Sequence, residues 1–427
     1  MTPRDSMGDE IGRAGSSPPA MTDQGASGWS AALFYSVASL GLGGFYGFNN
    51  ATLPLILSRF TDNPLLIGLL SNTRSIEGAF LQPLIGAWSD RLRTPLGRRR
   101  PFMLVGLPLA AFGLLLAARA PTLPLLVAAV IGFSLCFNVA VDPYVALLAD
   151  RFPPARRSAV NGVAALASLV GTILALLGAA ALAQRDRLPL AFALVAAVLL
   201  GTGAVTVATV REPPAPLRPG TTVRNASPRA NARAFVATVL RHRAACRLLL
   251  VLFCYRFGVN AIVPYLTLFA VRVIGTDEAT AQLLFLGLIL TTAVAVVPAG
   301  LLAARLGRRP VLRAGIALTV VAALGGLAIR DVPQTLAVVL CAGLGNAAIT
   351  AIDWPLLTEL VPATEVGLFA GLKAASESVA LPVAVALASA LIGQWGYRAC
   401  FVVVAAGALA ALGLVRLLTE TMTTPPA

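Results

Sequence analysis

The sequence predicts an all-α membrane protein of about twelve spanning helices, arranged as two six-helix halves. Three observations predict it. First, 57% of the residues are hydrophobic and only 12% are charged, about half the charged share of a soluble chain. Second, apolar stretches recur at the length of about 20 residues needed to cross a hydrocarbon layer of roughly 30 Å. Third, the second half repeats the first. Asn50-Ala51 and Pro54 recur as Asn260-Ala261 and Pro264, and Gly97-Arg98-Arg99 recurs as Gly307-Arg308-Arg309, both 210 residues later. Leu147-Leu148, Asp150, Pro153 and Gly162 recur as Leu356-Leu357, Glu359, Pro362 and Gly371, 209 residues later. Parallel internal repeats of this kind are a plan on which membrane carriers are built.

Residues 1–30 are polar and rich in Gly, Ser and Pro, and are expected as a disordered cytoplasmic tail. The first half then occupies 31–210, with spans near 31–57, 64–90, 102–118, 123–148, 159–183 and 188–210. The first span is too long for a signal-peptide core and is expected to stay. The stretch 211–246, rich in Pro and Arg, reads as a cytoplasmic linker. The second half occupies 247–418, with spans near 247–272, 280–304, 311–329, 334–359, 367–391 and 397–418, leaving 419–427 as a tail. Loops 91–101, 149–158 and 305–310 each carry three or more arginines, whereas the loops between them hold few charges of mixed sign. Positive loops stay inside, so both termini are expected in the cytoplasm of a multi-pass cell-membrane protein. The net charge of +14 then reflects loops facing anionic lipid, with no nucleic-acid partner implied. Five scattered cysteines without a CxxC argue against a disulfide framework or a metal cluster.

The most informative stretch is 82–102, QPLIGAWSDRLRTPLGRRRPF. Gly86 and Asp90 are one helical turn apart on one face. A glycine there would let a neighbouring helix come close, and Asp90 could pair with Arg91, Arg93 or the Arg98–Arg100 cluster. With Gly97, Arg98 and Arg99 this stretch resembles the signature loop between helices two and three of the major facilitator superfamily. The long form ending GRRRPF looks most like its glycoside/cation symporter branch, including sucrose-transporter-like proteins. The run Ala146-Leu147-Leu148-Ala149-Asp150 resembles that group again, although Val145 stands where the group has an arginine and Asp142 lies nearly one turn earlier. The resemblance implies the major facilitator fold, helices one, four, seven and ten around a central cavity, and helices two and eleven in contact at the junction of the halves.

Seven ionisable residues fall inside spans: Arg74, Glu77, Asp142, Arg256, Asp353, Lys373 and Glu377. Each would cost about 2.5–3.5 kcal/mol at mid-bilayer, so they are expected to face a cavity or one another. Lys373 is the sole lysine of the chain. Arg74 and Glu77 share a face of the second span, and Lys373 and Glu377 share a face of the eleventh. With the two helices antiparallel, an inter-half contact of Arg74 with Glu377 and Glu77 with Lys373 is expected, alongside satisfaction within each helix. Asp142, before Pro143, and Asp353, before Trp354-Pro355, are candidate coupling acids or solute ligands, against a role as helix-end acids paired with loop arginines.

Tyr46, Asn49 and Asn50 on the first span, Tyr255, Arg256 and Asn260 on the seventh, and Trp354 on the tenth are the candidate cavity residues. Amide, phenol and guanidinium groups beside aromatic faces suit hydroxyl-rich solutes, and asparagines also bond helix to helix. The sequence has no phosphate-binding GxxxxGK[ST] and no metal-ligand cluster, and its sole histidine, His242, reads as a solvated linker residue. An enzyme is therefore not expected, and no cofactor. The expected function is secondary transport of a sugar or related small polar solute, coupled to a proton or sodium, by a monomer. An exporter of amphipathic compounds, or a pigment-delivery or assembly factor on the same fold, is the alternative.

Overall fold

A computed structural model describes residues 25–420, apart from 74–76, 79, 80, 82, 83, 87, 90, 91, 93, 211–237, 240, 363 and 364. Its regular structure is helical throughout the described residues. Eleven of these helices are long and apolar enough to cross a membrane, and the second span adds a twelfth that is described in part.

Helix α1 runs Gly25–Gly47 and continues through a π-turn, Phe48–Thr52, to Leu57. Helix α2 begins at Pro64–Leu70, capped by Asn63, whose side chain accepts from the backbone of Leu65 and Leu66, and includes the described helical residues up to Ser89. Then come α3 (Arg100–Ala118), α4 (Leu123–Arg151), α5 (Pro154–Ala183) and α6 (Ala191–Thr209). The second half holds α7 (Arg243–Asn260, continued with breaks to Ile274), α8 (Glu278–Leu306), α9 (Arg308–Ala328), α10 (Val332–Leu360), α11 (Val366–Trp395) and α12 (Ala399–Glu420). Asp277 caps α8. The Thr280 hydroxyl and the Ala279 and Thr280 amides hold its carboxylate below the usual range.

Several helices run past the apolar windows. Helix α5 starts at Pro154 rather than near 159, and α7 at Arg243, inside the stretch expected as linker. Hydropathy sees the part of a helix that lies in lipid, while arginine-bearing first turns extend into the polar headgroup layer. Pro143 and Pro355 sit inside continuous helices, so the proline after each acid does not interrupt its span.

Packing repeats as the sequence does. In the first half α1 packs on α5 and α6, and α3 on α4 and α6; in the second α7 packs on α11 and α12, and α9 on α10 and α12. The halves meet through α5 against α8 and α2 against α11, a pair of contacts related by the same repeat. The largest core cluster joins both halves: Leu55, Ile67 and Leu70 with Tyr265, Leu268 and Val385. These residues lie at the end of the molecule away from loop 91–101, here termed the far end. A second cluster, including Leu248, Leu312, Leu356 and Val415, belongs to the second half alone. Lipid is as apolar as leucine, so close van der Waals fit and buried hydrogen bonds hold such contacts.

Candidate functional site

The loop motif is held by an acid on another helix. Arg98 and Arg99 both converge on Asp150 at the end of α4, Arg98 through Nε at 3.2 Å and a second, shorter contact, Arg99 through Nε at 3.0 Å. Arg99, buried, also donates to Ser89 on α2. The turn preceding them needs glycine: Gly97 has φ +103°, a left-handed value that a side chain disfavours. Its amide donates to Thr94 O at 3.0 Å, and its carbonyl accepts from the Thr94 hydroxyl at 2.6 Å. Gly307 repeats the positive φ at +92°, and Arg308 pairs there with Glu359. The sequence offered these arginines, beside Arg91 and Arg93, as partners for Asp90; Asp90, Arg91 and Arg93 lie outside the described residues, as does Arg74.

A Cβ built on Gly86 meets nothing within 4 Å, so the close helix approach expected there is not made in this conformation. It is made at Gly68, at the far end of α2, where an added Cβ would collide with Tyr265 and lie 2.6 Å from Val385. Gly68→Val is therefore expected to prevent the halves from closing at the far end. Cysteine pairs placed across that end should then cross-link at a small fraction of the rate in the parent protein.

The far end is also tied by charge. Arg59 reaches Glu278 with two contacts of 2.7 and 2.9 Å, and Arg272 pairs with Asp62 at 2.8 Å. The two pairs run in opposite senses, one arginine from each half. Arg272 adds bonds to Ser58 O at 3.2 Å and the Tyr397 hydroxyl at 3.3 Å. Just below, buried Thr52 donates to buried Gln282 at 2.9 Å. None of these charges was singled out from sequence.

Inside the membrane region, four of the seven flagged ionisable residues converge within the second half. Lys373 Nζ lies 2.9 Å from Glu377 and 3.1 Å from Asp353. Arg256 approaches the same two acids from α7, at 3.6 Å and 3.8 Å. Two cations and two carboxylates, from α7, α10 and α11, make a cluster with no net charge. Asp353 is buried, while about a third of the Glu377 side chain is exposed. Glu77 takes its partners in the first half, accepting from Ser134 at 2.7 Å and Asn138 at 3.3 Å, both on α4. In this conformation, then, Glu77 and Lys373 are each engaged within their own half. Asp142 sits part-buried on α4, at the position before Pro143.

The cluster opens through Arg256 on a cavity of about 400 Å³. Asn50, Tyr255, Arg256 and Asn260 line it, as expected, and Asn346 on α10 joins them. Tyr255 and Arg256 both donate to the Asn346 side-chain oxygen, at 3.3 and 3.4 Å. Most of the remaining wall is apolar, with Phe285, Leu288, Ile289, Val338 and Phe401 prominent. Tyr46, Asn49 and Trp354 are not among the lining residues. Asn49 is turned away and donates to Ser71 O. Tyr46 packs edge-on to Phe45 and Phe137, and Trp354 is exposed. Neighbouring positions on a helix point about 100° apart, so Asn50 and Asp353 face inward while the residues beside them do not. His242 is also not a free linker residue: its Nε2 pairs with Glu365 at 2.7 Å and its ring stands edge-on to Phe369.

Two packed six-helix repeats with polar groups converging on a cavity define a polytopic membrane carrier. The chain belongs to the MFS/sugar transport protein family, whose profile matches residues 63–423. It is 31% identical over 121 residues to the sucrose transport protein SUC3 of Arabidopsis thaliana, an alignment covering 23% of this chain and 20% of that protein. The chain thus matches about a fifth of that relative's length. Among solved structures, an inward-facing, occupied bacterial homologue of the human lysosomal transporter Spinster superposes with a TM-score of 0.71 at 15% identity, covering 94% of this chain and 99% of that one. A D-xylose–proton symporter superposes at 0.69 and 16% identity, covering 93% and 99%. At these identities the structures share the fold.

Proposed function

We propose that the protein is a proton-coupled symporter of a sugar or a related small polar solute, working by alternating access in the cell membrane. The observation that carries this reading is the neutral cluster of Arg256, Asp353, Lys373 and Glu377 at the wall of the cavity. Such groups are costly to keep inside a membrane, and their retention marks an ion or solute pathway. A proton arriving on one carboxylate removes one negative charge from a balanced set. Arg256 then has one acid fewer to hold and is released toward the cavity, where Asn50, Asn260 and Asn346 supply further hydrogen-bonding groups for hydroxyls. Sodium fits the same place poorly, because both carboxylates already face ammonium and guanidinium groups that would repel it. Glu77, held by Ser134 and Asn138, and Asp142 remain the candidate acids of the first half.

The arginine-rich loops support an orientation with both termini in the cytoplasm. The far end is then extracellular. Its two ion pairs and its shared core close the outside of the cavity, so the conformation described is inward-facing. The motif loops, with Arg98 and Arg99 on Asp150 and Arg308 on Glu359, serve as the cytoplasmic gate elements. The protein acts as a monomer in this reading.

The apolar wall around Phe285, Leu288 and Phe401 favours one further possibility, a solute with an apolar portion, which an exporter of amphipathic compounds would also use. Counterflow in proteoliposomes at two pH values, with and without sodium, decides between them. Saturable exchange of at least one sugar, independent of sodium and lost in Arg256→Gln with normal membrane insertion, is expected. Exchange of a hydrophobic dye and of no sugar would overturn the proposal.

A further inference from the structure

We propose that Asn50 and Asn260 determine which solute is taken: one amide from each half, each reading a hydroxyl at a different position of one neutral molecule. The proposal rests on the transport reading above and deepens it. The two asparagines are counterparts in the repeat, 210 residues apart, and both line the cavity. Each stands where its helix departs from regular winding. Asn50 lies in the π-turn Phe48–Thr52, which closes with the Leu53 amide donating to Phe48 O. Past Asn260 the backbone tightens instead. The amides of Ala261 and Ile262 donate to Gly258 O at 3.1 Å and Val259 O at 3.2 Å, and the turn Val263–Tyr265 follows. Irregular backbone at membrane depth is tolerated where it lines a cavity, and π-turns recur at functional sites.

Hydrogen bonding on the cavity wall singles out the same two residues. Thr292, Thr319 and Thr335 each donate to the carbonyl four residues earlier, at 2.8, 3.1 and 2.8 Å. Tyr255 and Arg256 share the Asn346 oxygen. Asn50 and Asn260, both half-buried, make no side-chain hydrogen bond among the described residues. Asn49 shows the contrast: it is buried and spends its amide on Ser71 O. An amide without a partner in a largely apolar wall is costly, and a solute hydroxyl supplies that partner. Each amide offers a donor and an acceptor, and a hydroxyl is both. Among the described residues no acid lines the cavity, whereas Arg256 does, so the pair favours a neutral hydroxyl over an ammonium group. The apolar wall around Phe285 and Phe401 suits the C–H faces of a sugar ring. Because the amides belong to different halves, a solute held by both is held between the halves.

The test is binding of neutral sugars to the purified full-length protein by isothermal titration calorimetry. Glucose, methyl glucoside, maltose and sucrose are the probes, and the tightest is then compared with its monodeoxy analogues. Asn50→Leu and Asn260→Leu keep the branched shape of the side chain and remove its donor and acceptor. Each is expected to weaken binding of the tightest probe about tenfold, the size of one or two lost neutral hydrogen bonds. Thermal stability of the unliganded protein should be unchanged or raised in both. Asn49→Leu, which removes a buried bond, is expected to lower stability instead. A monodeoxy analogue that costs the parent about tenfold should cost Asn50→Leu nothing further, and a different analogue should behave so in Asn260→Leu. Undiminished binding in both variants, stability lost in both as in Asn49→Leu, or one and the same analogue for both would overturn the proposal. Binding of no probe by the parent would overturn the transport reading itself, and the proposal with it.

Discussion

Lys373→Ala is expected to abolish transport and to reduce the yield of folded protein sharply, while Lys373→Ala combined with Asp353→Asn restores part of the yield. Lys373 is the close partner of both acids, at 2.9 and 3.1 Å, and Arg256 holds them more loosely, at 3.6 and 3.8 Å. Removing the lysine leaves two carboxylates against one distant guanidinium. Breaking a buried pair costs about 3–5 kcal/mol, because the surviving charge has lost its partner. Partial exposure of Glu377 puts the expected cost toward the lower end of that range. Removing Asp353 as well returns the set to one cation and one acid, and the penalty falls. Detergent-extracted yield and thermal unfolding measure the first effect, and counterflow measures the second. Equal yields for the single and double variants would show that the cluster is not an electrostatic unit.

The second large effect concerns the far-end lock. Arg59→Gln with Arg272→Gln removes both inter-half ion pairs. Exposed pairs contribute about 0.2–1 kcal/mol each. Arg272 loses its bonds to Ser58 and Tyr397 as well, so about 2 kcal/mol in total is expected to shift toward the form open at the far end, a change of roughly 30-fold in the equilibrium. Spin labels at Leu65 and Val332, both exposed at the far end, should report a longer distance population in the variant. High salt should move the parent protein in the same direction, since it screens exposed pairs. An unchanged distance distribution would assign closure to the apolar core around Ile67, Tyr265 and Val385 alone.

Much of the architecture is legible in the sequence because lipid imposes a simple rule on length and polarity. The spans follow from hydropathy, and the repeat follows from three short matches that the packing pairs reproduce helix for helix. The site is legible residue by residue but not as a set. Arg256, Asp353, Lys373 and Glu377 each stand out as ions within apolar runs, yet helical spacing relates residues on one helix only. Which helices meet is a property of the packed bundle and of its conformation. Reasoning from antiparallel levels therefore set Lys373 against Glu77, whereas the conformation described closes α7, α10 and α11 around it. Asp150 and Glu359 were visible as a repeated acid, and their role as seats for Arg98, Arg99 and Arg308 was not. Arg59, Asp62, Arg272 and Glu278 left the weakest trace. Loop charges of mixed sign look solvated until two loops are brought face to face. Gly68 carries the helix approach that the motif suggested for Gly86, because in this conformation the halves pack together around Tyr265 and Val385, while nothing stands within 4 Å of a Cβ placed at Gly86.

The central claim is that proton coupling runs through the cluster beside Arg256. Its most direct test is the pH change outside proteoliposomes when a solute found by counterflow is added. The parent protein should take up protons with the solute and make the medium alkaline, without any requirement for sodium. Glu377→Gln should still exchange the solute in counterflow but produce no alkalinisation. Undiminished proton uptake in Glu377→Gln and Asp353→Asn, or solute uptake that needs sodium and moves no protons, would contradict the account.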